Sequence, residues 1–183
     1  MNKLLALLII TILSFLIYGV FVEINKTNIK KEKRIPCQRE TITFENITNK
    51  KNINEAINLL QTSNYSILSR IELSKYMDSK ILNFITKEKA DKLLIDIIGK
   101  YRNKDIQLEE KLIIDYYIYE NDKEDKGKKS KKAKLYAGYL LFEFKLNNKL
   151  IYKIQTDYMK MDTSDIPARM ECIIKSFVSI KGE

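Results

Sequence analysis

Cys37 and Cys172 are the only thiols of the chain, and histidine is absent altogether. Without an imidazole there is no Ser-His-Asp or Cys-His nucleophile, no histidine metal ligand and no side chain that ordinarily titrates near neutrality. Chemistry would have to come from carboxylates, lysines or the two cysteines. The cysteines lie far apart with no Cys-x-x-Cys spacing, which excludes a thioredoxin-like motif and a zinc knuckle. Two readings of them stay open. They form a disulfide in an exported chain, closing a loop long enough to stabilise by about 4 kcal/mol in the chain-entropy model, or they are two buried free thiols.

Asp115 stands inside the otherwise apolar stretch Lys111 to Glu120. A carboxylate there needs a lysine or a backbone donor, or its pKa rises; with no second carboxylate or base beside it, a structural hydrogen bond is the expectation and acid-base catalysis is not. Asp157, Asp162 and Asp165 precede the last helical pattern without an Asp-x-Asp-x-Asp-Gly loop, so helix capping accounts for them. No glycine-rich phosphate loop is present, and neither a metal nor a cofactor is expected. Two sets remain as candidate partner-binding residues. One is the lysine run Lys126, Lys128, Lys129, Lys131, Lys132 and Lys134, which reads either as a contact for an acidic partner or anionic lipid, or as a solvated loop. It has no interleaved aromatics and so lacks the stacking platform of a single-strand nucleic-acid binder. The other is Tyr117 and Tyr119, drawn from strands crowded with Tyr116, Tyr136, Tyr139, Tyr152 and Tyr158; these serve cross-strand packing or a partner-binding face.

The elements that hold these residues follow from periodicity. Glu40 to Thr48 alternates with Ile42 and Phe44 on one face, the pattern of a strand. Ala56, Ile57, Leu59 and Leu60 recur at helical spacing until Ser63 and Asn64, and Tyr65 to Arg70 is extended again. Glu72 to Met77 reads as a short turn of helix. Thr86 opens a helix whose apolar face is Ala90, Leu93, Leu94, Ile97 and Ile98. Lys111 to Glu120 is apolar on both faces, which marks a central strand. Leu135 to Leu146 and Leu150 to Ile154 alternate around Asn147-Asn148, predicting a tight hairpin with Gly138 as a bulge. Thr163 or Ser164 caps a last helix with Pro167 in its first turn and Ile166, Met170, Ile173, Ile174 and Phe177 on its buried face.

Ahead of the domain, Leu4 to Val22 is an uncharged apolar run. Spanning a bilayer takes about 20 apolar residues, against about 7–15 for the core of a cleavable signal peptide. The expectation is a single-pass transmembrane anchor over residues 1–23, retained rather than cleaved, a polar basic stalk over 24–36 and an extracytoplasmic domain over 37–183. Orientation is contested. The basic flank after the run argues for a cytoplasmic domain, whereas the short amino-terminal tail and the indifference of long domains to charge argue for export. The net charge is +9, but much of the domain's share sits in Asn121 to Lys134, and a pervasive nucleic-acid surface is not expected. The abundance of Asn, Lys and Ile fits a low-GC bacterial genome.

The layout of strand, helix, the stretch Asn64-Tyr-Ser-Ile-Leu-Ser-Arg-Ile-Glu-Leu73, second helix, the strand Ile114-Asp-Tyr-Tyr-Ile-Tyr119, hairpin and closing helix resembles one bacterial group. This is the cell-envelope α/β domain of curli-secretion channel lipoproteins, penicillin-binding-protein activator lipoproteins and the N-terminal domain of the Tol-Pal periplasmic protein. The resemblance covers residues 39 to 180, and no lipobox cysteine follows the apolar run. It implies a mixed sheet with packed helices, a periplasmic location and a role in binding or assembly, and it carries over no functional residues. The expected fold is thus α/β (α+β), a transmembrane helix and then one mixed-sheet domain of order β-α-β-α-β-β-β-α. The expected function is that of an inner-membrane-tethered, non-enzymatic envelope protein that binds another envelope protein. The alternative is a cytoplasm-facing domain binding an acidic ligand or anionic lipid through its lysine loop.

Overall fold

The computed structural model describes residues 13–15, 18, 33–104, 106–128 and 135–182. Two compact units divide the chain, Met1–Arg34 and Ile35–Glu183. In the first, Leu13 to Phe15 and Tyr18 are helical and exposed. Among the described residues no helix is long and apolar enough to cross a membrane. That overturns the expected transmembrane helix, and with it the single-pass, signal-anchor and inner-membrane assignments. The rest of the Leu4 to Val22 run lies outside the described residues.

The second unit is a mixed α/β domain built on a five-stranded sheet. In chain order it runs β1 (Thr43–Ile47), α1 (Ile53–Gln61), β2 (Tyr65–Glu72), α2 (Lys87–Gly99), β3 (Leu112–Glu120), β4 (Gly138–Leu146), β5 (Lys149–Tyr158) and α3 (Ile166–Val178), with short 3-10 helices at Pro36–Arg39 and Ile81–Asn83. The strand order is β1-β5-β4-β3-β2. Only β2 and β3 pair in parallel, through the crossover that carries α2; the other pairs are antiparallel. The β4–β5 hairpin turns at Asn147 and Asn148, whose φ values of 50° and 60° suit the primed turn that matches strand twist. The register shift in that hairpin falls between Phe144 and Lys145, so Gly138 is not the expected bulge. It is glycine because a Cβ there would come within 2.5 Å of the Tyr158 ring and 1.9 Å of the Tyr119 carbonyl.

The helices pack on one side of the sheet. Ile53, Ala56 and Leu60 of α1, Leu94 and Ile98 of α2, and Met170, Ile173 and Phe177 of α3 cover Leu112, Ile114, Tyr116, Phe142 and Phe144, all essentially inaccessible. Phe144 stacks on Phe177 at 4.0 Å and Tyr116 on Phe142 at 4.7 Å. The buried phenol of Tyr116 is satisfied by donating to Asp91 Oδ1 of α2 at 2.7 Å.

Two polar devices hold the ends of this layer. At the start of the domain Cys37 is joined to Cys172 of α3, with a Cα–Cα separation of 5.8 Å. Beside the bond, buried Gln38 donates to Glu45 Oε2 at 2.9 Å and to Ser176 Oγ at 3.0 Å, and Arg169 pairs with Glu40 at 3.2 Å. At the end of β3, buried Glu120 accepts from the backbone of Ser74, Lys80 and Ile81 at 2.9–3.2 Å, and Asp122 accepts from Lys75 and Tyr76 at 2.7 and 2.6 Å. Because these amides are taken by carboxylates, Glu72 to Met77 does not form the turn of helix its sequence predicts; the first helical turn after β2 is at Ile81–Asn83. Burial pushes the Glu120 carboxyl up, but hydrogen bonds from Ser79, Lys80 and Ser74 outweigh it and hold the group below its ordinary value. The N-cap of the last helix is Asp165, not the expected Thr163 or Ser164, and it makes no side-chain cap bond. Its carboxylate instead accepts from the backbone of Met159 and Lys160.

Candidate functional site

Side chains alternate along a strand, so the strands that bury one set beneath the helices present the other set on the opposite face. No described helix packs there. Register arranges that face in rows running across β2, β3, β4 and β5: Leu68, Asp115, Glu143, Lys153; then Arg70, Tyr117, Leu141, Gln155; then Glu72, Tyr119, Tyr139, Asp157.

The charged residues of the first two rows, with Lys145 and Glu72 on either side of them, form a ladder of ion pairs. Asp115 pairs with Lys145 at 2.7 Å and with Arg70 at 3.2 Å. Lys145 also meets Glu143 at 2.8 Å, Glu143 meets Lys153 at 2.7 Å, and Arg70 meets Glu72 at 3.0 Å. Lys145, then Lys153, holds the Glu143 carboxyl below its ordinary value, and Asp115, then Glu143, raises the Lys145 ammonium. A shallow depression of about 240 Å³ opens over Arg70, Asp115, Tyr117, Leu141, Glu143 and Lys153. Each carboxylate in it is already neutralised by a cation, an arrangement suited to fixed polar recognition and not to proton transfer near neutrality.

The tyrosines form a cluster. Tyr119 stacks on Tyr139 at 4.7 Å, and Tyr117 meets Tyr139 edge-on at 5.8 Å with their hydroxyls 3.4 Å apart. The Arg70 guanidinium lies 4.4 Å from the centre of the Tyr117 ring, and the Lys128 ammonium 5.6 Å from that of Tyr119, both within cation–π range. Lys128 also donates to Asn121 Oδ1 and, at 3.0 Å, to the Asp122 carbonyl. Burial raises the phenols of Tyr119 and Tyr139.

Of the residues singled out in the sequence, Tyr117, Tyr119 and Lys128 therefore meet on the open face. Lys126 is exposed, and Lys129, Lys131, Lys132 and Lys134 lie outside the described residues. Cys37 and Cys172 sit apart, at α3 on the covered side. Sequence reasoning passed over Arg70, Glu143, Lys145 and Lys153, whose signal was their parity, each falling between the apolar positions of its strand; Asp157, expected as a helix cap, instead lies within β5. Among the described residues no group of three or more Cys, Asp or Glu is placed to hold a metal ion. No protein-family model, curated protein or solved structure matches the chain.

Proposed function

We propose that this chain is a non-catalytic binding protein of the cell envelope that works outside the cytoplasm and holds another protein on the open face of its sheet. The observation that carries this reading is the one-sided packing of the helices. It leaves four strands displaying a tyrosine cluster, Leu141 and a charge ladder whose side chains are largely held by one another. Tyrosine gives large contact area with few rotatable bonds, and a rigid surface loses little entropy on binding. The Cys37–Cys172 bond supports the compartment, because disulfides persist where thiols are not kept reduced. The layout resemblance to envelope assembly domains agrees with both points.

A photo-activatable cross-linking residue at position 141, compared with one at Ile95 on the outer side of α2, tests the reading in cells that make the protein. A discrete protein adduct from 141 that is absent from 95 is expected. No adduct at 141, or the same adducts from both positions, would refute it.

A further inference from the structure

Two of the three tyrosines in the open-face cluster already carry a cation of this chain, each anchored by acceptors. Arg70 lies over Tyr117 and is held by Glu72 and Asp115. Lys128 lies over Tyr119 and is held by the Asn121 amide oxygen and the Asp122 carbonyl. The third, Tyr139, has Tyr119 stacked on its β3 side. On its β5 side its register partner is a carboxylate, Asp157.

Asp157 is 6% exposed. Among the described residues no basic side chain pairs with it. Its register partner on β4 is Tyr139, its backbone N–H donates to the Ile42 carbonyl at 3.0 Å, and the Gln155 side chain on its own strand hydrogen-bonds its carboxylate. Burial pushes its carboxyl up to about 6 against the partial relief of Gln155. A buried carboxylate without a counter-cation is costly. Across the register from a tyrosine, it sets a ring and a carboxylate side by side, the pairing that holds Arg70 at Tyr117 with Glu72 and Asp115.

We infer that the row Glu72–Tyr119–Tyr139–Asp157 receives a lysine or arginine side chain of the bound protein, its cation lodged between Tyr139 and Asp157. This rests on the open face being the binding face. It names the chemistry of the partner: a basic segment, one of whose cations completes the series begun by Arg70 and Lys128.

The test uses the full chain with ¹³C-labelled tyrosine rings, titrated with tetralysine amide at physiological salt and, separately, with tetraglutamate. Saturable movement of the Tyr139 signal with tetralysine alone is expected. Asp157→Asn, isosteric and free of the buried charge, weakens that binding by about tenfold or more, and Tyr139→Leu, followed at the signal of the neighbouring Tyr119, abolishes it. The inference is overturned if Tyr139 does not respond, or if Asp157→Asn binds tetralysine as well as the parent does. If the probe fails while position 141 still cross-links to a protein, recognition of a basic side chain falls and the binding face stands. If position 141 yields no adduct, the reading beneath the inference falls.

Discussion

The two faces of one sheet are built from alternate residues of the same strands, yet they do different physical work. On the helix-covered face of β4, Leu140, Phe142, Phe144 and Leu146 are at most 2% exposed, and their stabilisation comes from apolar burial and close packing. On the other face of the same strand, Tyr139, Leu141, Glu143 and Lys145 are only partly buried, and they engage one another and neighbouring strands through ring stacking and ion pairs. Exposed ion pairs contribute little to stability. The open face therefore fixes the positions of its side chains without being what keeps the domain folded, and that separation lets a surface specialise in recognition.

The sharpest way to break this contrast is to truncate one residue on each face. Phe144→Ala removes a ring stacked between Phe177 and Phe142 and should cost about 3–5 kcal/mol; Leu141→Ala should cost under about 1 kcal/mol. Urea unfolding of the two variants checks this, and equal losses would show that the open face is structural after all. On the covered side, replacing Cys37 and Cys172 together by Ser should lower stability by about 4 kcal/mol, since the bond closes a loop with a sequence separation of 135 residues. Reduction of the parent should lower its melting temperature in the same way and leave the double variant unchanged.

Glu120→Gln should cost about 2 kcal/mol at neutral pH, because buried charge-assisted bonds to Ser74, Lys80 and Ile81 are weakened. Faster hydrogen exchange should be confined to the segment from Ser74 to Ile81. Because the folded pKa of Glu120 lies below its ordinary value of 4.5, the stability it supplies is present above that value and is lost as pH falls through the folded one. The gap between parent and variant should therefore close in acid.

The smallest expected effect has the opposite sign. Asp157 is raised from 3.8 to about 6, so the native state keeps a proton that the unfolded chain has lost, and stability falls as pH rises through that window. Asp157→Asn should be more stable than the parent by about 1 kcal/mol above pH 6, solvent screening part of the shift, and equal to it below about pH 4. Parallel melts across pH measure it. A variant less stable at pH 8 would mean that the carboxylate is satisfied in the free protein, which would also weaken its assignment as a receptor for a cation.

Much of the domain was legible because local periodicity follows from local burial. Ala90, Leu94, Ile97 and Ile98 announce α2, the alternation of Phe142 and Phe144 announces β4, and Asn147-Asn148 announces the hairpin turn, each within reach of its own neighbours in sequence. The segment after β2 misled because Glu120 and Asp122 take its amides, and those carboxylates lie more than 35 residues further on. The expected transmembrane helix likewise rested on composition alone, and no described helix is long and apolar enough to cross a membrane.

By itself, then, the sequence determined the chemistry that is excluded by a chain without histidine, the type of each main element, and which residues of a strand share a face. Tertiary structure decided what stands beside what. Strand order and register bring Glu72, Tyr119, Tyr139 and Asp157 into one row, and the meeting of α3 with the Pro36–Arg39 turn brings Cys37 to Cys172. Such neighbours are chosen by the packing of the whole core. A period of two residues states the face on which a side chain lies, and it holds no information on the strand that will lie across from it.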